Sequence, residues 1–150
     1  MDPQLVLMPD AMAAAPPPAA ANEAFHGTRP RMVLAHADRA YAASVDRHFR
    51  RLGWEVRVAA TADEARWLAS QLAPAAVVLD ADLPGQTGWL ICESLTSEQP
   101  GLRVILVAPE VDRRRTRFAA LVGALALVGK AADPTALVDQ VYGTALAAAG

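Results

Sequence analysis

Lysine is almost missing from this chain: Lys130 stands alone beside thirteen arginines. Cysteine is as scarce, and the single Cys92 excludes a disulfide scaffold and any multi-cysteine zinc site. There is no excess of one charge. Fourteen basic against 16 acidic residues leave a net charge of −2, which argues against a generic nucleic-acid binder. Long apolar runs are absent too: the longest nearly apolar stretch, 119–129, falls far short of the ~20 residues that cross a bilayer. No basic segment precedes an apolar one near the N-terminus, so no secretory signal is read. A Gly-rich phosphate loop, a Gly-x-Ser-x-Gly elbow and a His-Glu-x-x-His pair are all wanting, which removes the commonest nucleotide, acyl-transfer and zinc-protease readings.

Alanine is abundant. Thirty-four alanines inflate a hydrophobic fraction of 53% while burying little area each, yet 150 residues suffice for one core and predict one domain. Residues 1–30 hold Pro3, Pro9, Pro16, Pro17, Pro18 and Pro30 with two alanine blocks and no amphipathic period, and read as a disordered or loosely docked arm ahead of a domain over 31–150. From there apolar runs at 32–35, 54–59, 75–79, 102–107 and 125–128 read as strands. In the second, Trp54, Val56 and Val58 alternate with Glu55 and Arg57, which predicts a half-exposed strand. Between the strands lie helical patterns. Asp38 caps one that runs to about residue 52 and stops at Gly53, and Thr61 opens one that Pro74 breaks. Two more cover 89–97 and 112–122, and Asp133-Pro134-Thr135 starts the last. Strict alternation of this kind implies an α/β fold with a parallel sheet, and directs attention to the residues just past each strand: His36, Ala37, Asp38, Asp80, Ala108 and Lys130.

Those positions resemble a bacterial response-regulator receiver domain over roughly 31–147. One motif is Val77-Val78-Leu79-Asp80, followed by Leu83-Pro84 and Gly88; the other is Gly123-Ala124 ahead of the last strand with Lys130 closing it. The resemblance implies a flavodoxin-like, doubly wound five-stranded parallel sheet, order 2-1-3-4-5, with helices on both faces. It also implies a phosphoacceptor role for Asp80 and a phosphoryl-contacting role for Lys130. An attacking carboxylate of this kind needs cations to offset the charge that arrives, in the family a lysine and a Mg²⁺ held by acids after the first strand.

The sequence departs from that pattern. The acidic pair falls at His36 and Ala37, leaving only Asp38 and Asp80 as weak Mg²⁺ candidates, so no bound metal or other cofactor is expected. Ala108 stands where the family carries Thr or Ser, Leu127 where it carries an aromatic residue, and Ala131 where a proline, usually cis, follows the lysine. These departures predict a degenerate pocket in which Asp80 pairs with Lys130. They predict a non-enzymatic pseudo-receiver of two-component phosphorelay signalling that acts by protein contact, with weak or no Mg²⁺-dependent phosphorylation. Two alternatives stay open: a working phosphoacceptor using Asp80, and a small-molecule-binding flavodoxin-like domain.

No output domain is read after the last helix, so a stand-alone cytoplasmic protein is expected, with a histidine kinase or another signalling protein as partner and with neither nucleic acid nor membrane. Arg113, Arg114 and Arg117 form a basic cluster on the fourth helix. By resemblance, the face of the fourth helix, last strand and last helix is where partner docking or a homodimer would form, with Leu127 beside it. Trp89 is expected to fill a core position.

Overall fold

The computed structural model describes residues 29–141. The arm expected over 1–30 therefore lies outside the described residues up to residue 28, as does the chain from residue 142 on. Five strands and four complete helices alternate as β1 (Arg31–Ala35), α1 (Arg39–Arg51), β2 (Glu55–Ala59), α2 (Ala62–Leu72), β3 (Ala76–Asp80), α3 (Gly88–Glu98), β4 (Val104–Ala108), α4 (Arg113–Leu121) and β5 (Ala126–Gly129). A fifth helix, α5, is described over 135–141. All strand pairs are parallel and the sheet order is β2-β1-β3-β4-β5.

Each helix starts where a short polar side chain can accept from the first free amides. Asp38 caps α1, Thr61 α2, Thr87 α3 and Asp112 α4. Gly53 and Gly123, with φ of 93° and 91°, turn the chain out of α1 and α4 in the left-handed region that favours glycine. The central strands β1, β3 and β4 are apolar almost throughout because both sheet faces are covered. Met32, Leu34, Val78, Ile105 and Val107 point to one side, where Phe49 of α1 and Leu137 of α5 pack. Val33, Ala35, Val77, Leu79 and Leu106 point to the other, against Leu68 of α2, Ile91 and Leu95 of α3 and Ala119 of α4.

Two expectations change. Val58 was expected to face inward with Trp54 and Val56; those two are buried but Val58 is 47% exposed. It sits at the end of an edge strand among Ala42 and Ala43 of α1, which are too short to cover it. Trp89 is only partly buried, its ring 5.1 Å from that of Phe118 at the rim of the core rather than in it.

Candidate functional site

The parallel strands bring their carboxyl ends to one edge, and there His36, Ala37, Asp38, Asp80, Asp82, Val107, Ala108, Pro109 and Lys130 line a notch of about 380 Å³. Asp80 ends β3, with its side chain only 9% exposed. Both carboxylate oxygens accept backbone N–H groups, Oδ1 from Asp82 at 2.9 Å and Oδ2 from Ala37 at 3.1 Å. The first of these is an Asx-type turn, a local bond that Asp makes readily to the amide two residues on. Gly88 packs directly beneath: its N–H donates to the Ala81 carbonyl at 2.9 Å, and a Cβ there would stand 2.2 Å from the Asp80 carbonyl oxygen.

His36 is buried beside this carboxylate, with Nδ1 3.5 Å from Oδ2. The contact is not an ion pair at neutral pH. The Asp38 N–H donates to Nδ1 at 3.0 Å, which fixes the neutral tautomer with its proton on Nε2. Desolvation pulls the imidazole pKa below its ordinary value and outweighs the opposing pull of Asp80. The ring of Tyr41 lies 4.5 Å away, and its phenol is pushed up to about 12 by burial and by Asp80. A histidine that stays neutral in the fold but protonates at its ordinary value when unfolded destabilises the fold as pH drops below 6.5. In an NMR pH titration the His36 ring resonances should therefore move at a midpoint below 6.5, and His36→Gln should flatten the fall in stability on that acid limb. A midpoint above 6.5 would mean that His36 serves as a cation for Asp80.

Lys130 does not pair with Asp80, which corrects the sequence expectation. Its ammonium sits 2.6 Å from Oδ2 of Asp38. The other oxygen of Asp38 caps α1, accepting from Ala40 at 2.9 Å and Tyr41 at 3.1 Å. The bond to Lys130, and then the cap bond to Tyr41, hold the Asp38 carboxyl down at about 2. The physical reason for the choice is solvation. Asp38 and Lys130 keep side-chain exposures of 35% and 41%, so the pair forms with little desolvation, whereas Asp80 is buried and already satisfied by two amides.

Ala108 is buried at the end of β4 and accepts from the Lys130 N–H at 2.8 Å, presenting a methyl group to the notch. Leu127 is half-buried against the core on the α2–α4 side of the sheet. The notch is poor in ligands for a hard divalent cation: Ala37 offers no side-chain ligand, Nδ1 of His36 is taken and Asp38 is held by Lys130 and the cap, which leaves Asp80, already accepting two amides, and the exposed Asp82. Among the described residues no group of three or more His, Cys, Asp or Glu side chains could hold a metal ion.

Arg114 and Arg117 line a groove with Trp89 of α3, Phe118 and Leu121. Arg113 is exposed beside them. Sequence reasoning missed Asp82, whose amide holds Asp80, and Tyr41, whose ring lies tilted against that of His36. The signal for Asp82 was its place two residues after a strand-end Asp. No comparable signal marked Tyr41.

Residues 33–142 match the family described as response regulator receiver domain. Among solved structures, a CheY-like receiver domain protein from Methanospirillum hungatei JF-1 superposes with a TM-score of 0.73 at 23% identity, over 80% of this chain and 96% of that one. A LuxR-family two-component response regulator from Aurantimonas sp. SI85-9A1 gives 0.71 at 25% identity, over 80% and 87%. The transcriptional activator protein ExaE of Pseudomonas putida is 32% identical over 89 residues, 59% of this chain; the match spans 42% of that protein's length. No helix among the described residues is long and apolar enough to cross a membrane.

Proposed function

The chain belongs to the response regulator receiver domain family of two-component signalling, and from that premise we propose that it is a pseudo-receiver, working by contact with other signalling proteins and not by Mg²⁺-dependent phosphorylation of Asp80. The observation that carries this reading is the Lys130–Asp38 ion pair at 2.6 Å. The ammonium that would meet an incoming phosphoryl group already has a partner, and the carboxylate nearest a metal position is spent on it.

Charge arithmetic supports the same reading. Three carboxylates, Asp38, Asp80 and Asp82, line the notch against the one ammonium, with His36 neutral. A phosphoryl group would add about −1.5 to −2 charges more. The Ala108 methyl offers no hydroxyl to the phosphoryl oxygens, and Leu127 no aromatic ring to report a change. On this reading the domain is non-enzymatic and cytoplasmic, takes no metal or cofactor, and meets a kinase or another signalling protein without nucleic acid or membrane.

Incubating the chain with acetyl phosphate and Mg²⁺ and measuring its intact mass tests this. The expected spectrum shows the unmodified mass throughout. A stoichiometric phosphate adduct that disappears in Asp80→Ala would overturn the proposal in favour of a working phosphoacceptor. A flavin or nucleotide that raises the thermal midpoint would favour a ligand-binding domain.

A further inference from the structure

The groove between α3 and α4 combines features that an ordinary solvated helix face lacks. It has a volume of about 670 Å³ and is lined by Trp89, Phe118 and Leu121 together with Arg114, Arg117 and the Asp112–Arg115 pair. Phe118 is 46% exposed and Leu121 77%, with Leu90 at 50% on the neighbouring α3. On α4 only Ala119 is buried, so the helix gives its small residue to the core and its large apolar residues to the surface. That is the reverse of what burial alone would select.

The arginines are as telling. Arg115 is held by Asp112 and Glu110. Arg114 and Arg117, one helical turn apart, carry no ion pair among the described residues, although the chain has more acids than bases. The groove is also built to keep its shape. At its far end Cys92 Sγ of α3 donates to the Val122 carbonyl at the end of α4 at 3.4 Å, and Thr96 Oγ1, which donates to the Cys92 carbonyl at 2.8 Å, stands 3.1 Å from that same Val122 oxygen. Gly123 lets the two helices close there, since a Cβ would stand 2.4 Å from Thr96 Oγ1. A preformed groove loses little entropy on filling.

We propose that the α3–α4 groove is the docking site for an acidic segment of a partner protein. Large apolar side chains of that segment pack on Trp89, Phe118 and Leu121 while its carboxylates meet Arg114 and Arg117. Charge complementarity selects this occupant. A second copy of the same face would bring like-charged arginines against each other. The inference rests on the proposal that the chain acts by protein contact, and adds the place and the chemistry of that contact. The groove and the notch flank the same short β4–α4 connection, Asp112 lining the one and Pro109 the other.

The test uses two fluorescein-labelled peptides and anisotropy with the full chain: Glu-Glu-Leu-Phe repeated four times, and the Lys-Lys-Leu-Phe control. The acidic peptide should bind, more tightly at low salt, and the basic one should not. Arg114→Glu with Arg117→Glu should weaken binding about tenfold or more, and so should Leu121→Ser, with the thermal midpoint held. These positions are exposed, so an unchanged midpoint separates lost docking from lost folding. Equal binding of both peptides, or binding unaffected by the variants, would overturn the proposal. So would sedimentation showing a dimer that Leu121→Ser dissolves, since the groove would then be filled by a second copy. A phosphate adduct in the earlier experiment would sink the pseudo-receiver reading and leave the peptide result standing.

Discussion

Gly88→Ala should be among the most damaging single-methyl additions in the domain. The new Cβ would fall 2.2 Å from the Asp80 carbonyl oxygen and 2.9 Å from the Ala81 Cα. Both atoms belong to the backbone, and neither can rotate out of the way as a flexible side-chain tip could. Relief requires moving the start of α3 or the end of β3, where the Ala81 carbonyl accepts the Gly88 amide. Overpacking of this kind costs about 1–3 kcal/mol. For a domain of this size that lowers the thermal midpoint by about 4–12 °C. Circular dichroism melts of Gly88→Ala beside a surface control such as Ala43→Ser would measure it. A midpoint equal to the control would show that the helix start is free to shift, and the close approach would then not constrain Asp80.

Ala37→Asp should give the chain a response to magnesium, where the pseudo-receiver proposal expects none of the native protein. Ala37 is exposed on the notch, and its amide already holds Asp80 Oδ2. A carboxylate added there faces Asp80, Asp38 and Asp82. Without metal, like-charge repulsion should lower the thermal midpoint. With Mg²⁺, two carboxylates plus water suit the ion, and binding to the folded state alone adds about 1.4 kcal/mol at ten times the dissociation constant. The variant should therefore melt lower than the native chain in EDTA and recover on adding Mg²⁺, while the native midpoint does not move. A native chain that gains as much as the variant would show that Asp38 and Asp80 suffice to bind the ion, against the donor chemistry described above.

Much of the fold was legible because the chain is heavily punctuated. Asp38 and Thr61 open helices as caps, and Gly53 ends one, at the positions the sequence assigned to them, while Asp112, read as the first residue of its helix, caps it instead. Thr87, the cap of α3, was read only as part of a loop. The strand runs were readable because β1, β3 and β4 are buried on both faces and need no alternation. The pocket residues were legible as positions, since a parallel sheet delivers the end of every strand to one edge.

Their pairing was not. Lysine has a long flexible stem, and whether it takes Asp38 or Asp80 depends on burial and on two backbone amides that no sequence pattern displays. The α3–α4 groove was hidden for a different reason. On the nine residues of α4, apolar Phe118, Ala119 and Leu121 fit a helical stripe under more than one rotation. Only packing shows that Ala119 is the residue turned inward and that Arg114 and Arg117 flank the exposed ones.

The pair between Lys130 and Asp38 has a mechanical meaning beyond its chemistry. β5 is an edge strand that hydrogen-bonds only to β4, and strands in that position are the first to fray. Asp38 belongs to the far half of the sheet, past β3, and it holds the first turn of α1. Lys130 stands just past β5 and holds the one oxygen of Asp38 that the α1 cap leaves free. One edge of the sheet is thereby tied to the start of a helix rooted three strands away.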